Sequence, residues 1–347
     1  MRVLCVNDLP PGGASGAEVH LALLVDGLRA AGDEVGCFSL PARTGLGRLA
    51  DAWSPAARTA LHRQVADFSP DVLHFHNVVR ELSVAVLLAA PDVPRVMTVH
   101  DGRLLGDADA PGGPLRAWQQ LRCLSERRVA RRHAGPLLAV SGPLRSRLLA
   151  AGFPDVVHAW PWAAAPTALL VPAASSKDVV FVGRLDRDKG VEGLVAAFLA
   201  ARVEGARLLL AGTGSYAPPT DPRIIALGQL DRPAVSALLA TARFVALPSL
   251  PARRPEGSPL ALIEALVHAR PLLVSDDPGC AAVARGGAAG LVVPAGDVPA
   301  LTTALRRLLT DDTLVTRLAA GASAAAVEHT STAGLARVRA AYARALA

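Results

Sequence analysis

The sequence predicts an α/β chain built as two doubly wound domains. The chain has 347 residues, more than one hydrophobic core organises. Short apolar runs alternate with longer Ala/Leu/Arg stretches, the βαβα order of a mostly parallel sheet with helices on both faces. The alternation breaks at "AAAPTALLVPAASSK", residues 163–177, and then restarts with "DVVFVGRL".

In the first half, strands are expected over residues 3–6, 35–39, 72–75, 96–99 and 137–140. The helices between them are expected over 18–31, 55–68, 82–90 and 115–132. In the second half, strands follow "DVVFV" near 207–211, 224–227, 244–247, 272–274 and 291–293, and the last three helices are 298–309, 314–327 and 332–346. The expected division is a first domain over 1–165 and a second over 176–329, with a hinge near 163–177.

Hydrophobic residues make up 51% and aromatics 4%, so both cores must be built from Ala, Val and Leu. The net charge of +6 and the isoelectric point of about 9.7 allow attraction to nucleotides, phosphorylated substrates, nucleic acid or an acidic membrane. The plainer reading is solvated surface arginine. Four scattered cysteines without a CxxC pair make neither a disulfide framework nor a zinc pattern, and point to a reducing cytoplasm. "MRVLCVND" turns polar after six residues, unlike a signal peptide, and no apolar run approaches the ~18 residues of a membrane span.

Parallel sheets bind ligands beyond the carboxyl ends of their strands. The first strand is followed by "NDLPPGGASGAE", whose Gly12, Gly13 and Gly16 open onto a helix. Such a loop brings backbone N–H groups and a helix N-terminus towards an anion, although an ordinary turn would read the same way. His76 and Asn77 end one strand, and His100 and Asp101 end another. A lone histidine is often structural. Two polar pairs at strand ends of one domain still suggest a cleft.

"GRLDRDKG" carries Arg184 and Lys189 beside a helix start, a fit for a diphosphate, with Asp186 and Asp188 partly cancelling the charge. "GTGSYA" matches a dinucleotide fingerprint formally, but "PPTDP" follows at once and forbids the helix that motif requires. In "RPEGSPLALIEAL", Ser258 is the expected N-cap and Pro259 the first helical residue. Glu256 then stands outside the helix mouth, and Glu264 lies in the second turn, roughly 9 Å along the axis. A carboxylate in such an apolar run needs hydrogen-bond donors, which sugar or ribose hydroxyls supply. An arginine from elsewhere in the chain would also serve.

These residues resemble the family-4 retaining glycosyltransferases of the GT-B fold, two Rossmann-like domains facing across a cleft. "GASGAEVHLALLVDGLRAAGDEV", "VVFVGRLDRDKGVEGLVAAF", "LLLAGTGS" and the E-x7-E element "LPSLPARRPEGSPLALIEAL" carry the resemblance over nearly the whole chain. It implies that Gly13 and Gly16 approach the donor phosphates, and that Arg184 and Lys189 hold the diphosphate. Gly257, Ser258, Pro259 and Leu260 form the helix mouth, and Glu264 binds the ribose. Gly228 and Leu230 contact the base by their backbone. His100 and Glu256 lie at the transferred sugar as the catalytic candidates. It also implies a nucleotide-sugar donor, no nucleic acid, no cofactor, no metal, and a last helix (330–347) that returns to the first domain.

The chain departs from the family in two places: "SDDPGCAAVARGG" has Ala282 where a glutamate is common, and "PWAAA" replaces a "PNG"-like turn. Rival classes are a phosphorylase or epimerase of the same fold, and an inactive nucleotide-sugar sensor. A phosphorylase needs a cofactor lysine, and the only lysines are Lys177 and Lys189. The basic stretch 122–134, "RCLSERRVARRHA", could contact an anionic membrane or be a solvated helix face.

Overall fold

The structure, a computed structural model, describes residues 1–13, 15–41, 53–79, 82–107, 113–250 and 255–347, without the side chains of 113–116, 118 and 119. The chain forms two compact units: Met1–Pro161 with Ser331–Ala347, and Trp162–Thr330.

The first unit has strands β1 (Arg2–Val6), β2 (Glu34–Phe38), β3 (Val72–Phe75), β4 (Arg95–Val99), β5 (Leu137–Ala139) and β6 (Val156–His158). They form one parallel sheet in the order β2-β1-β3-β4-β5-β6. Its helices are α1 (Gly16–Ala30), α2 (Pro55–Phe68), α3 (Gly113–His133), α4 (Gly142–Ala150) and the chain's last helix, α11 (Ser331–Leu346). Ser15 caps α1 in a reciprocal capping box with Glu18, and Ser54 caps α2 with Pro55 in the first turn. The return of α11 is fixed by Arg339 on Asp33 (2.5 Å), Arg344 on Asp155 (2.6 Å) and the buried Tyr342.

Three elements differ from the sequence expectation. Residues 82–90 are not an α-helix; a 3-10 turn covers Val84–Leu88. The Arg95 guanidinium collects the Leu87, Ala90 and Val93 carbonyls; a continued helix could not have bonded the first two, because Pro91 and Pro94 stand four residues on and have no N–H. The second difference is α4 and β6, absent from the sequence reading: Gly142-Pro143 reads as a breaker but sits in the first turn of α4, capped by Ser141.

The second unit has β7 (Asp178–Val182), α5 (Val191–Ala201), β8 (Arg207–Ala211), β9 (Ile224–Gly228), α6 (Arg232–Thr241) and β10 (Phe244–Leu247). It continues with α7 (Leu260–Val267), β11 (Leu272–Ser275), α8 (Pro278–Val283), β12 (Gly290–Val293), α9 (Val298–Thr310) and α10 (Asp312–Ala326). The parallel sheet runs β12-β11-β10-β7-β8-β9. Chain direction across it reverses between β7 and β10, so the loops after these two strands diverge and leave a crevice. Residues 163–177 belong to this unit and are tied to it. Buried Arg270 donates to Val171 O (2.7 Å), and buried Arg243 donates to Ala174 O (2.8 Å) and Ser176 O (2.9 Å).

Candidate active site

In the second unit, the charged groups gather at the switch point between β7 and β10. The loop after β7 carries Arg184 and Lys189; the loop after β10 carries Ser249 and Glu256. Lys189 Nζ donates to Glu256 Oε1, which also accepts from Ser249 Oγ at 3.0 Å. Both members of the ion pair are about four-fifths buried, at 20% and 18% exposure, so solvent screens them weakly. Arg184 is different. It is 54% exposed and pairs with Asp186 and, at 2.7 Å, with Asp188. Asp186 accepts in turn from Ser215 N and Oγ at 2.8 and 2.9 Å, and the Ser215 N–H is the main cause holding its carboxyl below the usual range.

"GTGS" therefore packs against this loop. A Cβ at Gly212 or Gly214 would strike the Gly183 or Leu185 backbone, so the glycines allow two loops to touch. Glu264 lies on α7 with 16% of its side chain exposed, and Arg232 at 3.9 Å is its cationic neighbour. Burial pushes the Glu264 carboxyl up and Arg232 pulls it partly back.

In the first unit, residues of β3 and β4 and those just beyond them share one face by alternation: His74 and His76, then Thr98 and His100. His74 Nδ1 meets Tyr342 Oη at 2.7 Å and its Nε2 meets Thr98 Oγ1 at 2.8 Å. The His74 and His76 rings stack at 4.3 Å, and His76 Nδ1 meets His100 Nε2 at 3.1 Å. His20 of α1 packs edge-on to His100 at 5.5 Å. Burial lowers His20, His74 and His100 to about 3 and His76 well below its ordinary value, so the array is neutral near pH 7.

The family description "Glycosyltransferase Family 4" matches residues 14–164, and "Glycosyl transferases group 1" matches 176–311. The phosphatidyl-myo-inositol mannosyltransferase of Mycobacterium leprae is 30% identical over 286 residues, 78% of this chain and 73% of that protein. The chain belongs to the family-4 glycosyltransferases. An alpha-D-kanosaminyltransferase of Streptomyces kanamyceticus is 31% identical over 156 residues, 42% of this chain and 39% of its own. Among solved structures, sucrose-phosphate synthase of Thermosynechococcus elongatus superposes with a TM-score of 0.75 at 18% identity, covering 98% of each chain. Anabaena HepE in complex with UDP and glucose gives 0.74 at 16% identity, over 98% of this chain and 99% of that one. The fold of the glycosyltransferase is thus GT-B.

The structure corrects one local expectation in this glycosyltransferase. Ser258 is not the N-cap of α7. Pro259 occupies that place with an extended ψ of 116°, the helix begins at Leu260, and the buried Ser258 Oγ has no partner among the described residues. Gly257, Pro259 and Leu260 still form the approach to α7. Gly13 packs against the capping box, where a Cβ would strike the Glu18 carboxylate, and Gly16 is the first residue of α1. Gly228 closes β9 with φ 66°, and Leu230 follows it half-buried. Residues 251–254 of the E-x7-E loop lie outside the described residues.

The sequence reading missed Ser249, Asp277, Arg232, His20, His74, Thr98 and Tyr342. Asp277-Pro278 carried a local signal, the cap-then-proline start of a helix. The His74–Tyr342 contact had none, because 268 positions separate the two residues.

Proposed function

We propose that this glycosyltransferase retains anomeric configuration and moves a hexose-type sugar from a nucleoside diphosphate donor to an acceptor hydroxyl. The second unit takes the donor and the first takes the acceptor. The observation that carries this reading is the Lys189–Glu256 pair at the switch point, with Glu264 on the adjoining helix. The solved HepE neighbours, which hold UDP with glucose and UDP-glucose, support a sugar nucleotide as donor.

Lys189 and Arg184 would neutralise the departing diphosphate. The anomeric carbon–phosphate oxygen bond breaks and the bond to the acceptor oxygen forms on the same face. The acceptor proton passes to the departing phosphate oxygen. Glu256 orients the sugar, Glu264 accepts from the ribose hydroxyls, and His100 is the catalytic candidate of the first unit. Gly13, Gly16 and the mouth of α7 from Gly257 to Leu260 approach the phosphates by their N–H groups, Pro259 lacking one. Gly228 and Leu230 flank the base.

A thermal-shift screen of UDP-, GDP-, ADP- and dTDP-sugars tests the donor class. Stabilisation should reach about 2.7 kcal/mol at a hundredfold excess over Kd. No shift with any of them would sink the reading. Two carboxylate variants refine it. Glu264→Gln loses a charge-assisted bond of about 1.5–3 kcal/mol. Calorimetry should then show the bare nucleoside diphosphate bound roughly tenfold or more weakly. Glu256→Gln should leave that affinity nearly intact and depress turnover. If Glu264→Gln binds normally but melts much lower, Glu264 only anchors its helix.

Because two cations do the neutralising, transfer should survive excess EDTA. Abolition by EDTA with rescue by Mg²⁺ or Mn²⁺ would show the phosphate site to be misassigned.

One observation favours a lipid-linked acceptor. On α3, Leu121 and Leu124 are 67% and 57% exposed beside the exposed Arg128, Arg131 and Arg132. Arg122 and Arg127 instead turn inward to Val79 O (2.6 Å) and Leu104 O (3.1 Å). No described helix is long and apolar enough to cross a membrane. Flotation with vesicles rich in anionic lipid should carry the protein upward at low salt. Arg128→Glu with Arg132→Glu should leave it at the bottom; a wild type that stays there too returns α3 to a solvated face.

A further inference from the structure

We infer that Asp277 is a positioning residue that fixes Glu256 for sugar transfer. The inference rests on the role of Glu256 proposed above. Asp277 follows β11 by two residues and is fully buried. Its Oδ2 accepts from the Glu256 N–H at 3.0 Å. Its Oδ1 accepts from Gly279 N at 2.9 Å and Cys280 N at 3.1 Å, which caps α8. One carboxylate thus ties the loop after β10 to the start of α8.

The surroundings reinforce the tie. A Cβ at Gly279 would strike the Glu256 and Gly257 carbonyls, so the α8 backbone lies directly against this stretch of loop. Ser275 Oγ donates to Ser249 O at 2.6 Å, and Ser249 Oγ donates to the Glu256 carboxylate at 3.0 Å. The end of β11 therefore holds Glu256 at both its backbone and its carboxylate.

A cap alone does not explain the residue type. Asn and Ser cap helices about as well as Asp, without placing a second carboxylate near Glu256. Only Asp presents two acceptor oxygens, one for the cap and one for the Glu256 N–H. An asparagine with its oxygen on the cap turns its NH2 group towards the Glu256 N–H, donor against donor. Misplacement of a reacting-site group by ~1 Å costs up to about 10² in rate.

Asp277→Asn and Asp277→Ser therefore keep the cap and break the tie. The assay follows release of nucleoside diphosphate, with water as acceptor, from whichever of the four sugar nucleotides gives the largest thermal shift. Both variants should turn over at least tenfold more slowly, with the affinity for the bare nucleoside diphosphate nearly unchanged and the melting temperature lowered only modestly by the unbonded Glu256 N–H. In a Glu256→Gln background, Asp277→Asn should add little further loss. Full turnover of Asp277→Asn beside an impaired Glu256→Gln overturns the positioning role alone. Equal proportional losses in both backgrounds, or a loss that follows the melting temperature, make Asp277 a structural cap. Full turnover of Glu256→Gln removes the role of Glu256, and this inference with it.

Discussion

The first unit is expected to lose several kcal/mol of stability between pH 6.5 and pH 5. His20 and His74 are buried and held at about 3, mainly by desolvation, from an ordinary value of 6.5. The folded unit therefore binds no proton at these sites at pH 5, whereas the unfolded chain does. A depressed group of this kind leaves stability intact above pH 6.5 and erodes it as pH falls towards 3. Each site costs about 1.4 kcal/mol per pH unit, so these two cost about 4 kcal/mol by pH 5. Folded domains have roughly 5–15 kcal/mol in hand. His76 and His100 push in the same direction. Melting at pH 7.5, 6.5, 5.5 and 5.0 should show a steep fall over the last three points, and hydrogen exchange should rise early in β3 and β4. A flat melting temperature, with histidine signals titrating near 6.5, would contradict it.

Lys189→Met is expected to cut transfer by about 10²–10³-fold, the usual cost of removing a preorganised donor to developing negative charge. The loss has two parts. The diphosphate loses a cation, and the Glu256 carboxylate keeps Ser249 as its side-chain hydrogen-bond partner among the described residues. That uncompensated charge would also repel the donor, so the bare nucleoside diphosphate should bind more than tenfold more weakly. Lys189→Met combined with Glu256→Gln should recover part of that affinity, since the repelling charge is gone. Arg184→Met should cost less. Arg184 is 54% exposed and already shared between Asp186 and Asp188, and exposed pairs contribute little. Calorimetry on the three variants separates these effects. Equal losses for Lys189→Met and Arg184→Met would contradict the ranking.

The sequence by itself determined the α/β class and the two parallel sheets, and it put charged and polar residues at their strand ends. These are local: apolar period, caps, prolines and charge beside a helix start are written within a few residues of where they act. β3 over Val72–Phe75 and α2 over Pro55–Phe68 coincide with their expected spans for that reason. The helix expected over 82–90 failed because the Arg95 side chain takes the Leu87 and Ala90 carbonyls, a contact that apolar periodicity does not register even at eight and five residues' distance. Only tertiary structure decided which charges meet. Lys189 and Glu256 were assigned to different ends of the donor, yet sheet order brings their loops together across 67 positions. The same holds for Asp277 beneath Glu256 and for Tyr342 behind His74. Burial then keeps His74 neutral near pH 7, because desolvation depends on every element packed around a group and not on its neighbours in sequence.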